Sequence, residues 1–571
     1  MLDKKHAALP QDEKDPNTYS LGQLGQHNVV IACLGSGTTG ANSAAIAAAN
    51  MLRSFPNIRF GLMVGIGGGV PSEPNDDPRK DIRLGDVVVC NPGTKYGGVV
   101  QYDFGKTIES GKFIYTSSLN KPPTILLNGV LTLRAQHLEK GSAIPQYISK
   151  MLALHPIMKQ DFQYQGSQHD RLFEADYDHK DSRESCRNCD ETRLLHREPR
   201  VTNDPVTHYG LIASANQVMR HGATRERLRR EHGMLCFEME AAGLMDNFPC
   251  LVVRGICDYS DTHKNKRWQG YAAATAAAYA KELLETISVA QVTSTKEAIE
   301  VTQLSQQHSE ILDWLTKADY GAMHADSLKK WQPGTGKWFL QHQLFAAWRN
   351  GDIRTLFCPG IPGAGKTTIA SAVIEYVRPA QHDKESGVAF LYCNYGRKNE
   401  QTTEALLAIL LRQLAEYHPS IPNSVKLLHA SHMREKTRPS LQNLYDTLCD
   451  VAKSYKRLFL VVDALDECLD DTRRAVLLQL RNLQKTTGFL LMVTSRYLDT
   501  LEQEFKGDAQ IKIQADAGDV DSYLEGQRAT LPECLKADSA LWQTVKDCII
   551  GAVDGMCVST PTSPIGPIFN L

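Results

Sequence analysis

The 571-residue chain has no uninterrupted run of about 18 apolar residues, so no membrane-spanning helix is expected. Its opening, "MLDKKHAALPQDEKDPN", is polar and lacks the apolar centre of a secretory signal, which points to a cytoplasmic protein. Strong charge of either sign is also missing: 63 Lys and Arg against 65 Asp and Glu leave a formal −2. General attraction to nucleic acid or to an anionic membrane is therefore not expected. No internal repeat is found. The 14 cysteines lie scattered in apolar stretches such as "VVVC", "LFC" and "FLYC". That is the pattern of reduced, buried thiols and not of a disulfide framework.

At roughly 100–200 residues per domain, the length implies about three or four folding units. Over residues 28–284 the apolar runs "NVVIACL", "FGLMVGI", "GDVVVC", "GLIAS" and "CLVVRGI" alternate with helix-like stretches ending in "YAAATAAAYAKELLETI". This is an α/β pattern, a mixed or parallel sheet with helices on both faces. Residues 156–205, rich in Asp, Arg and His, interrupt it as an insertion, and the first domain spans 1–288. Residues 289–350 turn polar and helical and read as a connector. A second α/β domain, 351–510, follows, with strands "TLFC", "VAFLYC", "RLFLVVD" and "FLLMVTS" alternating with helices as a parallel sheet requires. Residues 511–571 begin a helical region that runs into the tail "CVSTPTSPIGPIFNL" and reads as truncated.

"GIPGAGKTT", residues 360–368, fits G-x-x-x-x-G-K-[ST], directly after one strand and opening a helix. Gly360, Gly363 and Gly365 let backbone N–H groups converge on phosphates, Lys366 adds positive charge, and the Thr367 hydroxyl suits Mg²⁺, with Thr368 next to it. The bland alternative is a glycine-rich turn. "LFLVVDALDE" ends a strand in acids: Asp463 is placed near the metal, and Asp466 and Glu467 are candidates to orient water. Alone, such acids are more often a solvated loop. Arg496, closing "LLMVTSR", is a candidate sensor of the terminal phosphate or a surface charge. Together with "GTGKWFL", these stretches closely resemble the NACHT domains of STAND-class switch ATPases, especially those of filamentous fungi, over residues 305–555. The resemblance implies ATP with Mg²⁺ as ligands, an exchange-driven switch between compact and oligomeric states, and hence a homo-oligomer.

The earlier run "FGLMVGIGGGV" places Gly65, Gly67, Gly68 and Gly69 after a strand, where backbone can approach a ligand. Alone it is weak. "HYGLIASANQV", "CFEMEAAGL" and "VVRGICDYSD" sharpen it by putting polar groups at strand ends or helix starts. Glu238 and Glu240 lie two apart, so a strand directs both to one face, where a carboxylate can accept two ribose hydroxyls. Asp258 ends an apolar strand, a place for a general acid. An acidic helix start and an N-cap are the plain alternatives. These stretches resemble the purine and uridine phosphorylase superfamily, which includes the methylthioadenosine nucleosidases, from His27 to Ile287. By resemblance, Met239 and Glu240 grip the ribose, Asp258 protonates the base, the glycine loop approaches C1′, and Asn216 lies at the base. The chain departs in three ways. Met63 and Ile66 stand where phosphorylases hold phosphate, which favours hydrolysis or lost chemistry. The family's first strand, with its water-activating acid, finds no counterpart ahead of "MLDKKH". Ala215 replaces a usual Gly.

"CRNC", with Cys186 and Cys189, has His179 and His196 nearby, but one CxxC without a second pair is weak evidence for zinc, and zinc is not counted among the expected cofactors. "RERLRREH" reads as a solvated helix face, and Trp268 as core. Two readings stay open: a nucleotide-switched protein whose front domain cleaves nucleosides, or a silent recognition module fused to an ATPase.

Overall fold

In the computed structural model, which describes residues 1–72, 80–93, 96–107, 113–115, 119–179, 186–318, 320–331, 334–378, 385–418, 420–514, 517–527 and 539–552, the apolar runs become strands. They belong to two units, residues 1–307 and 308–571. The tail "CVSTPTSPIGPIFNL" and part of the charged insertion lie outside the described residues.

In the front unit, β1 (Lys4–Lys5), β2 (Tyr19–Leu24) and β3 (His27–Ala32) form a small antiparallel sheet. The run "NVVIACL" therefore pairs with its neighbour and not with the main sheet, and Asn28 and Ile31 stay exposed. The main sheet contains β4 (Gly61–Gly69), β5 (Val87–Cys90) and β6 (Val99–Gln101), with β7 (Gly105–Thr107) and β8 (Phe113–Tyr115) paired apart. It is completed by β9 (Thr207–Ser214), β10 (Met234–Glu238) and β11 (Cys250–Asp258). β4 runs parallel to β11, which is antiparallel to β5; β5 and β10 are parallel to β9; and β10 returns antiparallel to β4. The mixed sheet thus closes into a ring, with β6 added on β9. All of β11 is buried, and the Ala-rich helix Gln269–Thr286 packs on it. Gly255 is required there, because a Cβ would strike the carbonyl of Ala272.

The glycine run differs from expectation: Gly65, Gly67, Gly68 and Gly69 are inside β4, not in a loop after it. The reason is crowding, since a Cβ at these positions would meet Arg254, Cys236, Ser260 and Ile256 respectively. A second correction concerns "RERLRREH". Its helix, Gly222–His232, buries Arg225 at 2% exposure, where the guanidinium donates to Tyr259 O at 2.7 Å, so one face is core and not solvent. Trp268 is buried against Tyr164 and Tyr271.

The rear unit holds a parallel sheet in the order β13 (Ser386–Tyr392), β14 (Arg457–Asp463), β15 (Leu490–Ser495), β12 (Thr355–Pro359), β16 (Ala509–Gln510). Helices Lys366–Val377, Thr403–Tyr417, Leu441–Lys453 and Asp470–Thr487 link its strands, as parallel pairing demands. Leu460, Val461 and Val462 on β14 are fully buried, and such burial contributes about 1.5–3 kcal/mol per large side chain. β13 is an edge strand, and buried Gln413 pairs with both the N–H and the C=O of Phe390, at 3.0 and 2.8 Å.

Candidate functional site

In the rear unit the turn between β12 and helix Lys366–Val377 holds Gly363 at φ 77° and Gly365 at φ 85°, a backbone that side chains resist. Gly360 starts the turn, and its N–H donates to Ser495 O at 3.0 Å. Lys366 Nζ folds onto this turn, donating to Gly360 O at 2.9 Å and Ile361 O at 2.8 Å. Burial pulls the ammonium below its ordinary value, with Asp466 and Asp463 opposing. Thr367 Oγ1 donates to Asp463 Oδ2 at 2.7 Å, and Thr494 Oγ1 to Asp463 Oδ1 at 2.6 Å. Asp463 is buried, which raises its carboxyl above the ordinary aspartate value while the two hydroxyls offset part of the effect. A hydroxyl and a carboxylate side by side at a helix start are groups that would hold a Mg²⁺, which would supply positive charge there. Thr368, half-buried, follows in the first helical turn.

Beyond β14, Ala464 takes the left-handed φ of 55°, and its N–H donates to Thr494 Oγ1 at 2.9 Å. This strained residue aims Asp466 and Glu467 away from the strand line. Asp466 accepts the Arg496 N–H at 2.9 Å and pairs with its guanidinium at 3.2 Å, while Glu467 accepts from Tyr395 N at 2.9 Å. Arg496 thus faces two carboxylates, with Glu467 at 3.7 Å. The acids border an open cleft of about 480 Å³ also lined by Tyr395 and Lys398. Thr494, which holds Asp463, was legible only as part of "VTSR".

In the front unit β10 ends at Glu238, so Glu240 does not share a strand face with it; Glu240 begins the turn Ala241–Gly243 instead. The Glu238 carboxylate turns back to accept the N–H groups of Glu240 and Ala241, both at 3.0 Å to Oε2. Arg254, four residues before the end of β11, donates to Glu238 and reaches Glu240 Oε2 at 3.2 Å. Burial raises the Glu240 carboxyl, and the Arg254 charge offsets part of this. Met239, between the two acids, is half-buried. Asp258 accepts from Ser260 N at 2.9 Å, from Cys257 Sγ at 3.1 Å and from Lys264 Nζ at 3.0 Å. A β-bulge between Ile256 and Asp258 and a left-handed Ser260, φ 55°, turn the chain here. A Cβ at Gly67 would meet Cys236 and Arg254, and one at the neighbouring Gly68 would meet Ser260 and Asp258, so both acid groups lie along one stretch of β4. Asn216 Oδ1 accepts Ala41 N at 3.0 Å at the start of a helix, next to Gly40, whose backbone helps hold the Glu240 carboxyl down. Arg254 and Lys264 escaped the sequence reading, since neither fits a spacing rule.

Residues 7–288 match the family described as Phosphorylase superfamily. The front unit is a phosphorylase-superfamily domain. Residues 334–496 match the family described as Nephrocystin 3, N-terminal, and make up a NACHT-related module behind that domain. A nucleotide-binding leucine-rich repeat (NLR)-like protein of Hyaloscypha variabilis is 47% identical over 290 residues, covering 50% of this chain and 28% of its own length. The vegetative incompatibility protein HET-E-1 of Podospora anserina is 22% identical over 232 residues, 38% of this chain and 17% of its own. The chain thus spans less than a third of either curated relative. A solved 5'-methylthioadenosine/S-adenosylhomocysteine nucleosidase from Neisseria meningitidis, 16% identical, covers 50% of this chain and 91% of its own at a TM-score of 0.31, too low to add to the strand order itself. Among the described residues no helix is long and apolar enough to cross a membrane.

Proposed function

We propose that the chain is a nucleotide-switch protein whose rear unit binds ATP with Mg²⁺ and whose phosphorylase-superfamily domain cleaves the N-glycosidic bond of nucleosides. The placing of Arg254, with Glu238 and Glu240 bound to it, and of Asp258, with Lys264 bound to it, beside the adjacent Gly67 and Gly68 of β4 is the observation that carries the front half. Glu240 accepts the ribose hydroxyls, with Arg254 and Glu238 fixing its position. As the bond breaks, positive charge grows on the sugar while the base gains a proton from Asp258. Met63 lies against Arg254, its sulfur 3.4 Å from the guanidinium, and offers nothing to hold phosphate, which favours water as the acceptor. In the rear unit the turn of residues 360–368 receives the phosphates, and Thr367 and Asp463 hold the metal, which neutralises phosphate charge when bound. The switch implies self-association, with nucleoside and ATP as small-molecule partners.

A non-catalytic reading of the front domain has one observation in its favour: three donors converge on Asp258, an arrangement suited to an acceptor. Proton donation requires Lys264 to be drawn away by the ligand. The deciding experiment incubates the full chain with a panel of purine and pyrimidine nucleosides, with and without phosphate, and chromatographs for free base. Base release without phosphate is expected, and Asp258→Asn should slow it about 10²–10⁴-fold. Ribose 1-phosphate would overturn hydrolysis, and nucleoside binding without any release would establish the silent module.

A further inference from the structure

The charged insertion folds onto the loop that follows Asp258. His179 N–H donates to Thr262 Oγ1 at 2.8 Å, and within the insertion Arg171 NH1 donates to Cys186 O at 3.2 Å. Cys186 and Cys189 flank a single 3-10 turn, closed by Cys189 N–H to Cys186 O at 3.3 Å, so the two sulfurs face one side. A His179 ring nitrogen and both sulfurs lie within 4.8 Å of one another. A tetrahedral zinc with bonds of roughly 2.0–2.3 Å sets its ligand atoms roughly 3.3–3.8 Å apart, so small side-chain rotations close the set. The second observation is His263. Its ring is buried, stacked at 4.2 Å on Phe173 and 5.4 Å from the His179 ring. Neither of its nitrogens has a hydrogen-bond partner among the described residues; the Asp261 carboxylate stands 3.7 Å from Nδ1, beyond bonding reach. A buried imidazole with two idle nitrogens calls for a partner, and a cation shared with His179 supplies it.

We propose that His179, Cys186, Cys189 and His263 bind a structural zinc ion. The cysteines bind as thiolates and the histidines as neutral imidazoles, so two thiol protons pass to solvent as the cation enters. His196 takes no part: it is exposed and faces Glu198 at 3.9 Å. The ion staples the insertion to residues 259–264, the loop that supplies Ser260 and Lys264 to Asp258. This assignment is independent of whether the front unit turns over nucleosides.

The full chain, purified under reducing conditions without added metal or chelator, is expected to carry one zinc per chain by elemental analysis. Cys186→Ser and Cys189→Ser should lower this to background, while His196→Ala retains it. Should these variants fail to fold, the unaltered chain stripped of metal and refilled with Co²⁺ gives the answer. A thiolate-to-cobalt charge-transfer band with the intense visible bands of a tetrahedral site is expected, and His263→Gln should weaken those visible bands. A refilled chain showing only the spectrum of hydrated cobalt would overturn the proposal. So would an intact mass, measured without reductant, lower by the two hydrogens of a Cys186–Cys189 disulfide.

Discussion

Arg254 is the side chain on which the acid cluster of the front unit is built. It and Glu238 are 4% and 1% exposed, so neither charge is relieved by water, and each compensates the other. Removing only the cation strands a buried carboxylate. Arg254→Met should therefore cost about 3–5 kcal/mol of the front unit's unfolding free energy, read by denaturant titration. The Glu238→Gln, Arg254→Met double variant should recover part of that loss, and a double variant no more stable than the single would show that the pair is not coupled. At this scale the sequence was most legible where spacing is chemistry. Lys366, Thr367 and Asp463 come from a fixed phosphate motif and a strand ending in acid, and Thr367 and Asp463 do lie 2.7 Å apart. Arg254 and Lys264 carried no such mark, because an Arg inside an apolar strand and a Lys in a polar loop become informative only once their carboxylate partners are brought to them. The Glu238 and Glu240 pair met for a reason other than the strand alternation expected of it, a tight turn and a shared guanidinium.

The insertion is an element whose attachment is electrostatic as well as apolar. Arg200 forks onto the buried Asp86 at 2.7 Å through each nitrogen, and His208 Nε2 and Val206 N reach the same carboxylate at 2.9 Å. Burial alone would push the Asp86 carboxyl up, but the bonds from Arg200 and His208 outweigh it and hold the group below its ordinary 3.8. A depressed carboxyl contributes stability that is fully present above the unfolded value and disappears as pH falls through the folded value. Asp86→Asn should thus lower stability at neutral pH and flatten its decline in acid, measured as the urea midpoint against pH; an unchanged acid limb would contradict this role. The strands themselves were legible as apolar runs, and the rear unit's alternation of strand and helix was enough to imply a parallel sheet. Ring closure in the front unit was not legible. Apolar periodicity marks a strand but not its partners, and β10 meets both β9 and β4 through side-chain crowding at glycines distant in sequence.

Across the whole molecule, two chemically distinct residue clusters lie in two compact units, and the proposed function assigns phosphates to one and a sugar with its base to the other. Length implied about three or four folding units where the chain divides into two, and one glycine run falls in each. What composition could not convey is that one run is a turn at a helix start and the other a strand interior, since glycine serves both backbone curvature and close packing. If the sites are independent in ligand chemistry, single substitutions must separate them. The direct measurement is equilibrium titration of MgATP and of a nucleoside onto the full chain bearing either Lys366→Ala or Glu240→Gln. The predicted result is a crossed loss: Lys366→Ala abolishes ATP binding and keeps the nucleoside, and Glu240→Gln does the reverse. Loss of both ligands from one variant, or undiminished binding of both in each, would contradict the assignment of two separate sites.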